Sequence, residues 1–182
     1  MDFLEDSSTG TRWALVGVAF VLTAGGTVLF HRLGKRIAAS GGPGYNDFQK
    51  LGSAQEVREA LGKWRPDELA AARRAWLLDL VYPVCYALLL GLLASLAAIH
   101  ADSLGWDAFS WAMTAVSSLA VTAGGIDLLV ENPAVAVGLW GTPSDTVARV
   151  GRAAGKVKTF LLVLVLLALL GAGAAFVGEK LF

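Results

Sequence analysis

Asp79, Tyr82 and Tyr86 follow one another at spacings of three and four residues, with Pro83 among them. At about 3.6 residues per turn, that spacing puts a carboxylate and two phenols on one helical face. Asp127 and Glu131 stand four residues apart, about one helical turn, and Asn132 follows directly. Such a set supports several chemistries. A carboxylate held away from water can relay a proton. Two or three carboxylates and a carbonyl can hold a hard cation such as magnesium. With Arg73, Arg74, Lys156 and Lys158 nearby in the chain, the same groups can engage a lipid phosphate. A carboxylate and a phenol can also act as acid and base on a lipid-soluble substrate. Against all of these stands a bland alternative, in which the acids pair with arginine and hold two helices in register.

The elements that carry these residues are apolar. Four stretches, at about 13–30, 75–99, 106–130 and 159–177, are each close to the roughly 17–25 residues a helix needs to cross the hydrocarbon core. Of the 182 residues 55% are hydrophobic, so the four stretches leave room for one membrane bundle and for no separate soluble domain. The reading is an all-α integral membrane four-helix bundle, a single four-transmembrane-helix domain over residues 1–182. The chain opens with Asp2, Glu5 and Asp6, whereas a secretory signal has a basic start. The first stretch therefore reads as a retained helix.

The second and third stretches run in opposite directions. Asp79 falls near the start of one and Asp127 near the end of the other, so the two acidic sets are expected at similar depth. Pro83 should bend its helix and free the carbonyl of Asp79. The expected result is a polar pocket of Asp79, Tyr82, Tyr86, Asp127, Glu131 and Asn132 on the inner half of the bundle. A single cysteine, Cys85, excludes an intramolecular disulfide and a CxxC pattern. Two histidines, His31 and His100, are too few for histidine-rich di-iron chemistry. The sequence carries no metal signature, phosphate loop or nucleophile motif, and it names no cofactor or catalytic residue.

Thirteen of the fifteen lysines and arginines lie in the two long connections, 31–74 and 131–158. The positive-inside rule makes that side cytoplasmic and puts both termini outside, in the multi-pass arrangement of a cell (inner) membrane protein. Trp13, Trp76 and Trp106 fit anchoring at the interfaces. Ser53-Ala54-Gln55-Glu56 has the form of a capping box, and Val57, Leu61 and Trp64 follow at helical spacing. An amphipathic cytoplasmic helix is expected over about 53–64, lying on the inner leaflet or capping the bundle. Arg65-Pro66-Asp67-Glu68 reads as a second start, with a helix running into the second span without interruption. The apolar run 134–140 is too short to cross, and is expected as a half-inserted segment or a buried loop. Thr142-Pro143-Ser144-Asp145 reads as a cap before a basic helix leading to the last span. Thr-Ala-Gly-Gly occurs at 23–26 and at 122–125, as a relic of internal duplication or as small-residue helix contacts.

The stretch Phe48-Gln49-Lys50-Leu51-Gly52-Ser53, then Trp64, Leu78-Asp79-Leu80-Val81-Tyr82-Pro83 with Tyr86, and Asp127-Leu128-Leu129-Val130-Glu131-Asn132, resembles a family of small uncharacterised bacterial four-helix membrane proteins. The resemblance covers about residues 45–140. It implies the four-helix fold and a site at the aspartate–tyrosine face and the Asp…Glu-Asn end of the third helix, and it brings no activity.

The leading expectation is that the bundle binds or transports a small ligand, a lipid or a cation at these six residues. The alternatives are a structural or accessory subunit of a membrane complex, and a membrane enzyme acting on a lipid or isoprenoid. The expected partners are the lipid bilayer, a lipid or small-molecule ligand, and a homo-oligomer or larger membrane complex. The basic residues are spread along membrane-flanking segments, which is not the footprint of nucleic-acid binding.

Overall fold

A computed structural model describes residues 7–181; the acidic start of the chain lies outside the described residues. Helix α1, Thr9–Ile37, opens on Ser8, whose hydroxyl accepts from Thr11 N at 3.2 Å. Three short helices come next: α2, Tyr45–Phe48, α3, Ala54–Lys63, and α4, Pro66–Asp79. They lead to α5, Tyr82–Ser103, and α6, Asp107–Ile126. A π turn at Asp127–Glu131 joins α6 to α7, Asn132–Trp140, and α8, Asp145–Leu181, closes the chain. No strand occurs among the described residues. Four stretches of this chain are helical, long and apolar enough to cross a membrane: α1, α4 with α5, α6 through α7, and α8.

The 22 residues of α5 rise about 33 Å at 1.5 Å each, the thickness of the hydrocarbon core. It pairs along its length with α6 through a tight turn in which Gly105 takes φ +73°, a conformation that favours glycine. Small residues make that approach possible: Ala94 and Ala98 are fully buried, and the Ser95 and Ser117 hydroxyls meet at 3.1 Å. Helix α1 packs on α4 and α5, and α8 packs on α6, the π turn and α7. The two Thr-Ala-Gly-Gly copies serve as helix contacts with α5 through different glycines. At Gly26 an added Cβ would sit 2.7 Å from the Tyr82 ring, and at Gly124 2.7 Å from Ala87 Cβ. Gly25 and Gly125 face open space.

The basic end of the bundle carries a packed cap. Ile37, Tyr45, Phe48, Val57, Trp64 and Leu139 form its core with the alanines of α4. Ser53 and Glu56 close the capping box on α3, which buries Val57 and Ala60 against the bundle end. Glu68, at the first turn of α4, accepts from the backbone N–H groups of Ser40 and Arg65, both at 2.9 Å, and so ties the end of α1's connection to α4.

The structure corrects two expectations. The helix from Pro66 does not run unbroken into the second span: its hydrogen-bond ladder is interrupted at Leu80–Val81, which keep right-handed helical φ and ψ, and resumes as α5. The apolar run 134–140 is helical rather than a loop, with Val135 and Leu139 buried in the cap.

Candidate functional site

Two proline-linked interruptions face each other at the basic end of the bundle. Pro83 has no N–H to offer the carbonyl of Asp79, and its ring crowds that carbonyl. The chain tightens instead, with Val81 N donating to Leu78 O at 3.0 Å, and α5 starts afresh with Pro83 in its first turn. The freed Asp79 carbonyl accepts from Asn132 Nδ2 at 2.8 Å. In the other span, the N–H of Asn132 bonds to Asp127 O, five residues back, in the π turn just before Pro133. One extra residue in the turn rotates the downstream helix by roughly 100° relative to an unbroken α-helix. Asp127 and Glu131 thereby face α8, while Asn132 faces the break between α4 and α5. Trp76 Nε1 fixes this corner by donating to Asn132 O at 2.9 Å.

Lys158 reaches in from α8. Its Nζ lies 3.1 Å from Asp127 Oδ2 and 2.6 Å from Glu131 Oε2. Gly155, one turn earlier on α8, makes the approach possible, since a Cβ there would lie 3.0 Å from Glu131 Oε1. Tyr86 donates to Asp127 Oδ2 at 2.9 Å. Tyr82 sits beside Tyr86 with ring centroids 5.5 Å apart, and its hydroxyl lies 3.0 Å from Thr27 Oγ1 on α1.

The six residues read from the sequence therefore fall into two stations. Asp127 and Glu131 gather on Lys158, and Tyr86 joins them through its hydrogen bond to Asp127. Asp79 lies apart, and its Oδ2 accepts from Gln49 Nε2 at 2.6 Å and from Tyr45 at 3.1 Å. Asn132 bridges the stations through the Asp79 backbone, and Tyr82 joins through aromatic contact. Burial, and then the charge of Asp79, raise the Tyr45 phenol well above its ordinary pKa, so Tyr45 stays a donor to Asp79.

Tyr45 and Gln49 have no counterpart in the sequence reading of the site. They lie at least thirty residues before Asp79, on a connection whose packing decides their position, and no local spacing reports that. Lys158, expected as a partner for a lipid phosphate, turns inward onto the acids. Arg73 points elsewhere, donating to Leu139 O at 3.2 Å with its guanidinium over the Trp140 ring.

A cavity of about 1000 Å³ opens beside the stations. Its polar end holds Asp79, Tyr82, Tyr86, Asp127, Glu131 and Lys158. Thr27, Phe30 and His31 wall it from α1, and residues from Arg152 to Leu166 wall it from α8. Leu90, Leu162 and Leu166 make its apolar end, while Lys50, Arg152 and Lys156 stand at the basic end. Asn132 is buried behind the wall. Asp127 Oδ1 and Asn132 Oδ1 are buried acceptors with no donor among the described residues. Among the described residues, no three acids, histidines or cysteines converge closely enough to hold a metal ion.

No family model, curated protein or solved structure matches this chain.

Proposed function

We propose that this protein binds, and releases to one side of the membrane, an amphiphilic lipid-like ligand that enters the cleft between α1 and α8 from the cytoplasmic leaflet of a cell membrane. The observation that carries the reading is the cavity itself: about 1000 Å³, apolar at Leu90, Leu162 and Leu166, and polar at the two stations. That order of surfaces suits a molecule with a tail and a head. The interrupted helices support the reading. Irregular backbone at membrane depth is tolerated where protein buries it or where it lines a cavity, and interrupted spans recur at the binding sites of transporters. The excess of lysine and arginine at the cap end supports placing that end in the cytoplasm and both termini outside.

The test uses Thr159, which lines the cavity from α8 and bonds back to Gly155 O within its own helix. The wild-type protein, purified in mild detergent, is expected to retain a discrete lipid mass in native mass spectra. Thr159→Trp, which fills the slot without touching the acids, should lose that mass and keep the same helicity. Bare wild-type spectra would overturn the proposal. They would favour the accessory-subunit reading instead, in which the lysine–carboxylate cluster serves only to lock α6 to α8.

A further inference from the structure

The polar end of the cavity is not electrically balanced by its own residues. Asp79, Asp127 and Glu131 all border it, and Lys158 is the base paired with the latter two. The partners of the Asp79 carboxylate are a phenol and an amide, both neutral. Asp79 lines the cavity, and both of its side-chain hydrogen bonds fall on Oδ2, so its Oδ1 has no donor among the described residues. A largely buried carboxylate whose partners are neutral is costly, and the cost is relieved by a hydrogen-bond donor that carries positive charge. Further along α8, toward the cap, Arg152 and Lys156 border the same cavity with their charges unneutralised by those acids. One end of the cavity thus asks for a donating cation and its rim for an anion, with an apolar slot beyond.

We infer that the ligand's head is zwitterionic, a primary ammonium joined to a phosphate, with the ammonium donating to Asp79 Oδ1 and the phosphate held by Arg152 and Lys156. The assignment rests on the lipid-like reading of the cavity and narrows it to an aminophospholipid. A quaternary ammonium keeps the charge but has no N–H to give. A purely anionic head meets three carboxylates. Both should be refused.

The experiment titrates delipidated wild-type protein in mild detergent with phosphatidylethanolamine, phosphatidylcholine and phosphatidylglycerol of matched acyl chains, reading occupancy by native mass spectrometry. Phosphatidylethanolamine should bind at least about tenfold more tightly than either of the others, the ratio expected from one charge-assisted hydrogen bond. Asp79→Asn should bring it down to the phosphatidylcholine level, and Arg152→Ala with Lys156→Ala should weaken phosphatidylethanolamine binding as well. Equal binding of the ethanolamine and choline lipids, or preference for phosphatidylglycerol, would overturn the headgroup assignment and leave the lipid site standing. Absence of binding by all three would overturn both. Water-soluble glycerophosphoethanolamine forms the last arm: if it competes as well as the whole lipid, the headgroup assignment holds and the lipid-like reading falls. The comparison of lipids uses wild-type protein alone, so it decides the matter even if Asp79→Asn fails to fold.

Discussion

The cap and the outer spans are built by different physics. In the cap, large side chains such as Ile37, Tyr45, Phe48 and Trp64 are nearly or wholly buried, as in a water-soluble core. In α1 and α8, only 11% of the most apolar stretch is buried, and Phe20, Val21, Leu167 and Leu170 face outward. Lipid tails are as apolar as leucine, so burying leucine among helices gains little there, and the spans meet through small residues, hydrogen bonds and one ion-pair cluster. The hydrophobic effect therefore organises the cap, while polar contacts organise the bundle. The site lies at the seam, where Asp79 takes its hydrogen bonds from the cap and Asp127 takes its partners from the spans.

Removing the charge from the bundle side should have the largest effect. Lys158→Met leaves Asp127 and Glu131 facing each other without compensation, and should cost about 3–5 kcal/mol in unfolding in detergent. Changing the cluster together, Asp127→Leu with Glu131→Leu and Lys158→Met, should recover most of that stability while abolishing ligand retention. If the triple variant is as unstable as the single one, the cluster is not a polar lock between the spans. On the cap side, Trp64→Ala should cost about 3–4 kcal/mol, since the ring packs on Phe48 and its Nε1 donates to Pro43 O. Leu167→Ala on the outer face of α8 should change stability by less than about 0.5 kcal/mol. Equal losses at the two positions would show that α8 is buried in an assembly rather than in lipid. Asn132→Ala, which strips the donor from the Asp79 carbonyl, should cost roughly 1–3 kcal/mol by the same measurement. The smallest pair is a contrast between neighbours. Gly26→Ala drives a methyl into the Tyr82 ring and should destabilise by about 1–3 kcal/mol. Gly25→Ala meets nothing and should be neutral or stabilising by up to about 1 kcal/mol.

How much of the molecule is legible in the sequence depends on which interactions are local. The all-α fold and the positions of the apolar stretches come from runs of about twenty apolar residues, and the Ser53 capping box from a four-residue pattern. Pro83 implied an unpaired Asp79 carbonyl because proline acts on the residue four before it. The donor that satisfies that carbonyl, Asn132, sits 53 residues away, and nothing in the spacing of either residue announces the pair. The π turn escaped for a related reason. Asp127 and Glu131 look like an ordinary helical pair, and the extra residue is stabilised by Trp76 and Lys158, from two other helices. For the cap, the sequence supports only an amphipathic helix on the inner leaflet or capping the bundle, because its apolar residues are dispersed through a charged stretch. Only folding gathers them into a core.

The mouth of the cleft has two borders, α1 and α8, and both are gripped at the cap end: α1 through Ile37 in the cap core, and α8 through Asp145, whose carboxylate accepts from Ala54 N at 2.7 Å. α8 is held again farther along, where Ala172 and Phe176 pack on α5 and α6. The gap between α1 and α8 is thus held at more than one level, and a substitution that loosens the cap core should change the spacing of the two borders at the cap end first.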